Sequence, residues 1–168
     1  MPAFTVLPMP TEQARGFRKG QLDANQQPAE RVRHGFGPCR HCLKRIEDEE
    51  MLVLSYRPFE ALQPYAESGP VFLHAKDCTA YSKNDRLPDM LDHWGEVMMI
   101  AKGYNKDDRI RYEATAVAPA NQLEAQCQTL LTDEEVAYVH IRLAQTNCYQ
   151  FRVERAEQRL SQPKFSGV

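Results

Sequence analysis

Two short pairs of residues carry the chemistry in this sequence. Cys39 and Cys42 make C-x2-C inside PCRHC (38–42). His74 and Cys78 make H-x3-C after a spacer of 31 residues. A turn enclosing two residues can aim two thiolates at one tetrahedral ion, and a second compact pair on another element completes a closed Cys3His shell. The ion expected is zinc. Four protein ligands make such a site structural, whereas three leave a position open for metal-assisted hydrolysis. Cys148 and His140, on two consecutive strand-like segments, are the alternative ligands if the hairpin register brings them together.

The same cysteines admit two other readings. In a thiol enzyme, either an oxidoreductase or a cysteine-nucleophile enzyme, Cys39 or Cys42 acts with His41 or His74 as base. Arg40, Lys44 and Arg45 then favour the thiolate. Against this, a Gly-Phe-Gly-Pro loop rather than a strand leads into the pair, and LKRIEDEE after it is a poor helix former. In the third reading the thiols are small core hydrophobes. Cys127 fits that role, lying on the apolar stripe Leu123, Cys127, Leu130, Leu131. His41 points away from an ion held by its neighbours, His34 and His93 are surface residues, and His140 alone reads as a hydrogen-bonded sheet histidine.

A second set of residues reads as a binding surface for a small molecule or a protein. Tyr56, Phe59, Tyr65 and Phe72 can line an apolar pocket with Glu67 at its mouth. Arg57 and Arg142 lie in strand-like segments. They either fork an anion or pair with a carboxylate, Glu67 or Glu154. The binding set is therefore Arg57, Tyr65, Glu67 and Arg142. The acidic runs EDEE (47–50) and DEE (133–135) read as solvated turns.

The elements that must position these groups follow from periodicity and punctuation. Strands are expected at 3–7, 51–57, 69–75, 96–105, 109–118, 136–144 and 148–156. The last two form a hairpin, as do 96–105 and 109–118. In 109–118, Ile110, Tyr112, Ala114 and Ala116 share the inner face. Helices are expected from Thr11 (as cap), over 87–94, and most clearly over 121–135. The polar stretch 23–38 reads as a long loop and 160–168 as a frayed tail. The result is an α+β fold, a single domain over 1–168, with a mainly antiparallel sheet of about six strands and few helices. No glycine-rich phosphate loop is present.

The totals agree. The chain has 168 residues, 42% hydrophobic and 26% charged, with a net charge of −2. That balance gives no general attraction to nucleic acid or anionic lipid, leaving only a small basic patch at Arg31, Arg33, Arg40, Lys44 and Arg45. MPAFTVLPMP is not a signal peptide and no apolar run is long enough to span a bilayer, so the expected compartment is the cytoplasm.

PCRHCL (38–43), LVLSYRPF (52–59), PYAESGPVFLHAKDC (64–78) and YVHIRLAQTNCYQF (138–151) together resemble the small bacterial proteins of domain-of-unknown-function family 1203. The resemblance implies a bacterial, cytoplasmic, single-domain protein and no particular activity. It also draws attention to Cys39, Cys42, His74, Cys78 and Cys148. The family's Gly-Cys near the end is here Asn147-Cys148, and asparagine also tolerates the positive φ of a tight turn.

Overall fold

The computed structural model describes residues 2–83 and 85–156; the expected frayed tail at 160–168 lies outside them. In chain order the elements are β1 (Phe4–Leu7), α1 (Thr11–Arg18), β2 (Glu30–Pro38), β3 (Arg45–Tyr56), β4 (Gly69–His74) and α2 (Met90–Trp94). There follow β5 (Met98–Tyr104), β6 (Ile110–Pro119), a single 3-10 turn, α3 (Leu123–Leu130), β7 (Tyr138–Leu143) and β8 (Tyr149–Arg155). They build two antiparallel sheets, one of five strands in the order β1-β8-β7-β5-β6 and one of three in the order β2-β3-β4. The fold is α+β and mainly sheet. No helix among the described residues is long and apolar enough to cross a membrane.

Each sheet buries one face in its own core. On the large sheet Met99, Ala101, Val139, Ile141, Phe151 and Val153 pack against Leu123, Cys127 and Leu131. Cys127 is fully buried there, as its helical spacing implied. On the small sheet Leu52, Leu54, Val71 and Leu73 meet Ala14 and Phe17 of α1 together with Cys39 and Cys42. The opposite face of the large sheet is covered too, so β7 is buried along nearly its whole length and shows no polar–apolar alternation.

Several expectations need correction. The stretch 23–38 is a loop only in its first part, because Glu30–Pro38 is strand β2. It pairs with the first half of β3, so 45–50 is strand rather than a helix or turn. Neither segment carries apolar alternation. Their backbones pair, and on the exposed surface Arg31 meets Glu50 and His34 meets Asp48, both at 2.8 Å. The 121–135 helix is shorter, with a 3-10 turn at Ala120–Gln122, a helix to Leu130 and turns beyond. Tyr112 is 70% exposed, and the buried residues of β6 are Ala114 and Ala118. A register shift between Lys102 and Tyr104 explains the break in alternation. Thr11 does not cap α1; that position is Pro10, with no side-chain cap bond, and Thr11 lies inside the first turn.

The remaining loop is anchored by Asp23. Its buried carboxylate accepts the backbone N–H groups of Asn25, Gln27 and Ser55 at 2.8 to 3.1 Å. Burial opposes the charge, but these three bonds outweigh it and hold the carboxyl below its usual range.

Candidate metal centre

The turn Cys39–Lys44 connects β2 to β3. Gly37 sets its approach: φ is +142°, and a Cβ there would lie 2.5 Å from the Phe72 ring. The turn closes through Cys39 N–H to Lys44 O at 2.9 Å and Leu43 N–H to Cys39 O at 3.0 Å. Leu43 has φ of 54° yet is buried, with its side chain in the core of the other sheet. A branched residue in that conformation is strained, and burial of its side chain offsets the strain. β4 then delivers His74 opposite Met51, and Arg40 N–H donates to Phe72 O at 3.0 Å, docking the turn against β4.

These elements bring Cys39, Cys42, His74 and Cys78 together, with one donor atom of each within 4.8 Å of all the others. Cys39 Sγ lies 3.9 Å from Cys78 Sγ, and Cys42 Sγ lies 3.5 Å from His74 Nδ1. With metal bonds of about 2.3 Å to sulfur and about 2.05 Å to nitrogen, a zinc tetrahedron has edges of about 3.8 Å (S–S) and about 3.6 Å (S–N). The four side chains could hold a metal ion. Cys148 and His140 are not in this cluster. Cys148 lies at the β7–β8 turn with its thiol toward Thr146 O, and His140 is enclosed by Phe59, Tyr104, Tyr138 and Tyr149. Asn147, preceding Cys148, has φ of 60°, the conformation for which asparagine was a suitable substitute.

A second ring of contacts surrounds the cluster. Arg18 of α1 donates to Cys78 Sγ at 3.1 Å and to His74 O at 3.0 Å. His41, buried rather than turned out to solvent, places Nδ1 3.1 Å from Cys78 Sγ and Nε2 2.9 Å from Thr11 Oγ1. A thiolate can only accept, so with Cys78 ionised His41 donates from Nδ1 and its Nε2 accepts the Thr11 hydroxyl. Burial, then the nearby Arg18 cation, keeps His41 below its ordinary pKa, consistent with this neutral form. His74 presents Nδ1 to the cluster and Nε2 to Glu49 at 3.8 Å, a carboxylate behind an imidazole as in many metal centres. The His74 N–H also points at Cys39 Sγ, at 3.5 Å.

The three thiols are electrostatically unequal. Hydrogen bonds from Cys42 and Cys78 pull Cys39 far below an ordinary thiol. Those bonds to Cys39, with burial, push Cys42 and Cys78 up. One negative charge is thus easily held, and a second or third needs a cation among the sulfurs. His74 is raised by its contact with Cys39.

Thr11, Arg18 and Glu49 were not singled out from sequence. Thr11, Ala14 and Arg18 stand at i, i+3 and i+7, one face of α1, so a polar residue at each end of a buried alanine was the available signal. Of the expected binding set, Glu67 does pair with Arg142, at 3.4 Å, and with Lys102, at 3.0 Å. Tyr65 lies under Arg109 and Arg57 has a buried Nε without a partner. The four aromatics do not line one pocket: Tyr56 packs on Phe17 and Tyr149, Phe59 on Tyr104 and His140, and Phe72 under Arg40. A cleft of about 560 Å³ instead opens beside Cys42, between Lys44, Arg45, Tyr81, Lys83 and His93.

The fold and the site define a two-sheet α+β protein with a compact Cys3His cluster at the junction of a strand turn and a strand end. The family model described as "Protein of unknown function (DUF1203)" matches residues 36–155, and the chain belongs to that family. The matched span holds all four cluster residues; Thr11 and Arg18 precede it. Comparison with curated proteins gives no match, and comparison with solved structures gives none.

Proposed function

We propose that Cys39, Cys42, His74 and Cys78 bind one zinc ion, and that this ion is structural in a single-domain binding module. The observation that carries this is the match between the two donor separations, 3.9 and 3.5 Å, and the edges of a zinc tetrahedron. The donor set is soft and closed, leaving no protein-free position for a reacting water. Zinc would tie the β2–β3 turn to β4 and to the 75–81 segment. That segment is further held by Tyr81 N–H on His41 O, at 3.0 Å. The centre thereby forms one wall of the cleft beside Cys42, where a partner or small molecule would bind. Arg18, His41 and the His74 amide spread the excess negative charge of three thiolates around one dication. Free thiols at all five cysteines suit a reducing compartment, the cytoplasm.

The thiol-enzyme reading is the rival. Cys39 is fully buried and Cys42 is 4% exposed, which argues against a nucleophile that must meet substrate. Titration with an organomercurial separates the two. Zinc release in step with modification of the Cys39, Cys42 and Cys78 thiols, at about one zinc per chain, is the expected result. Rapid modification of Cys39 or Cys42 with no zinc released would make the pair a reactive thiol site instead.

A further inference from the structure

A second polar centre lies far from the cysteines in chemistry. On the face of the large sheet turned away from α3, Lys102 and Tyr104 of β5 stand beside His140 and Arg142 of β7. The irregular segment 57–68 runs across them. Its Phe59 ring lies 5.4 Å from Tyr104 and 5.0 Å from His140. Its Glu67 carboxylate lies 3.0 Å from Lys102 Nζ and 3.4 Å from Arg142 Nη2. The cations form the floor, with side chains 19% and 6% exposed, while the 37% exposed Glu67 comes in from the surface.

This centre is under-satisfied. Tyr104 Oη, both His140 ring nitrogens and Arg142 Nε are buried without a hydrogen-bond partner, and Arg142 Nη2 has only its 3.4 Å ion pair with Glu67. They are five of the nine buried side-chain atoms without a hydrogen bond among the described residues, so the shortfall is concentrated in one patch. A buried polar group without a partner costs about 1–3 kcal/mol, so folded proteins pair most of them with protein, water or a ligand. Arg142 is particularly informative. Its Nη1 donates to Asn147 O at 3.0 Å, and of the Nε and Nη2 edge, which can fork a carboxylate with two parallel bonds, only Nη2 is engaged, by Glu67.

The charges define the ligand. Asp108 accepts the Tyr138 hydroxyl and Glu154 pairs with Arg152, so among the described residues Glu67 alone answers both Lys102 and Arg142. His140 adds no charge, because burial, then Arg142, Arg152 and Lys102, hold it neutral. The floor therefore favours an anion. The walls are aromatic, and the segment 57–68 already offers them a carboxylate and a phenyl ring, from Glu67 and Phe59.

We propose that Lys102, Tyr104, His140 and Arg142 form a binding site for a small aromatic carboxylate, and that Glu67 and Phe59 of the 57–68 segment occupy it as an internal competitor. Binding then requires the segment to yield. The apparent affinity is reduced by the fraction of molecules in which Glu67 holds the site. This reading does not depend on the zinc centre.

The test uses protein as purified, with benzoate as the probe and chloride at equal ionic strength as control. Glu67→Gln keeps the size of the side chain and removes the competing charge, so benzoate is expected to bind it at least about tenfold more tightly than wild type in calorimetric titration. Glu67→Gln combined with Arg142→Met is expected to lose that binding. Equal affinity of wild type and Glu67→Gln, or undiminished binding by the double variant, overturns the proposal. Should Glu67→Gln fail to fold, amide NMR of the wild type decides. Benzoate-dependent shifts in 57–68 and in β5 and β7 support the site, and their absence at saturating probe rejects it.

Discussion

Replacing Cys42 by serine is expected to empty the zinc centre and to lower the melting temperature by about 10–20 °C. Serine matches cysteine in shape but is a poor ligand, and it leaves Cys39, His74 and Cys78 crowded around one position without a closed shell. Loss of a bound metal is among the few single changes that reach about 4–5 kcal/mol. In a chain of this size each kcal/mol moves the midpoint by roughly 2–4 °C. Cys127→Ser is the control, because Cys127 is equally buried but belongs to the other core. It should lose stability through its buried hydroxyl and keep its zinc. A chelator should then lower the midpoint of wild type and Cys127→Ser but leave Cys42→Ser unmoved. Elemental analysis and thermal denaturation of the three proteins check this. Equal zinc content in Cys42→Ser and wild type would contradict it.

The second large effect is expected at Arg40, the residue between Cys39 and His41. Its side chain is among the largest of the fully buried ones, at 2% exposure. Nε donates to Tyr149 O and Nη1 to Pro38 O, and the guanidinium stacks 5.7 Å from the Phe72 ring centroid. One side chain thus joins the C-x2-C turn of the small sheet to β8 of the large one. Burial pulls its pKa down to about 10, so the charge is held at a cost, and the two carbonyl bonds satisfy it where water cannot reach. Arg40→Ala leaves two carbonyls without their donor and opens a cavity, and a loss of about 3–5 kcal/mol is expected in denaturant unfolding. Arg40→Lys should be nearly as damaging, because an ammonium cannot reproduce a planar fork to two carbonyls. A change below about 1 kcal/mol in Arg40→Ala would show that the two sheets do not depend on this link.

The cysteine and histidine pairs could be read from sequence because each is local: the turn and the strand end place both members of a pair by themselves. How the pairs meet is not local. It depends on the β3–β4 register and on the docking of the turn against Phe72, neither of which a spacing encodes. The same limit explains Cys148 and His140. They share a hairpin with the right chemistry, but Cys148 faces the turn and His140 faces the covered side of the large sheet. Strand β2 escaped because its mostly exposed side chains give no apolar alternation, while its backbone still pairs with β3. Thr11 resembled a helix cap because hydroxyl residues favour that position. Instead its oxygen serves His41, thirty residues away. The Glu67–Arg142 pairing was one of several that the sequence left open for Arg57 and Arg142 with Glu67 or Glu154, and the fold selects it.

X-ray absorption at the zinc edge, on protein purified without chelator, tests the centre most directly. The expected spectrum has a first shell of three sulfurs at about 2.3 Å and one nitrogen at about 2.0–2.1 Å. A protein without zinc, or a shell dominated by oxygen and nitrogen, would contradict a Cys3His zinc centre at Cys39, Cys42, His74 and Cys78.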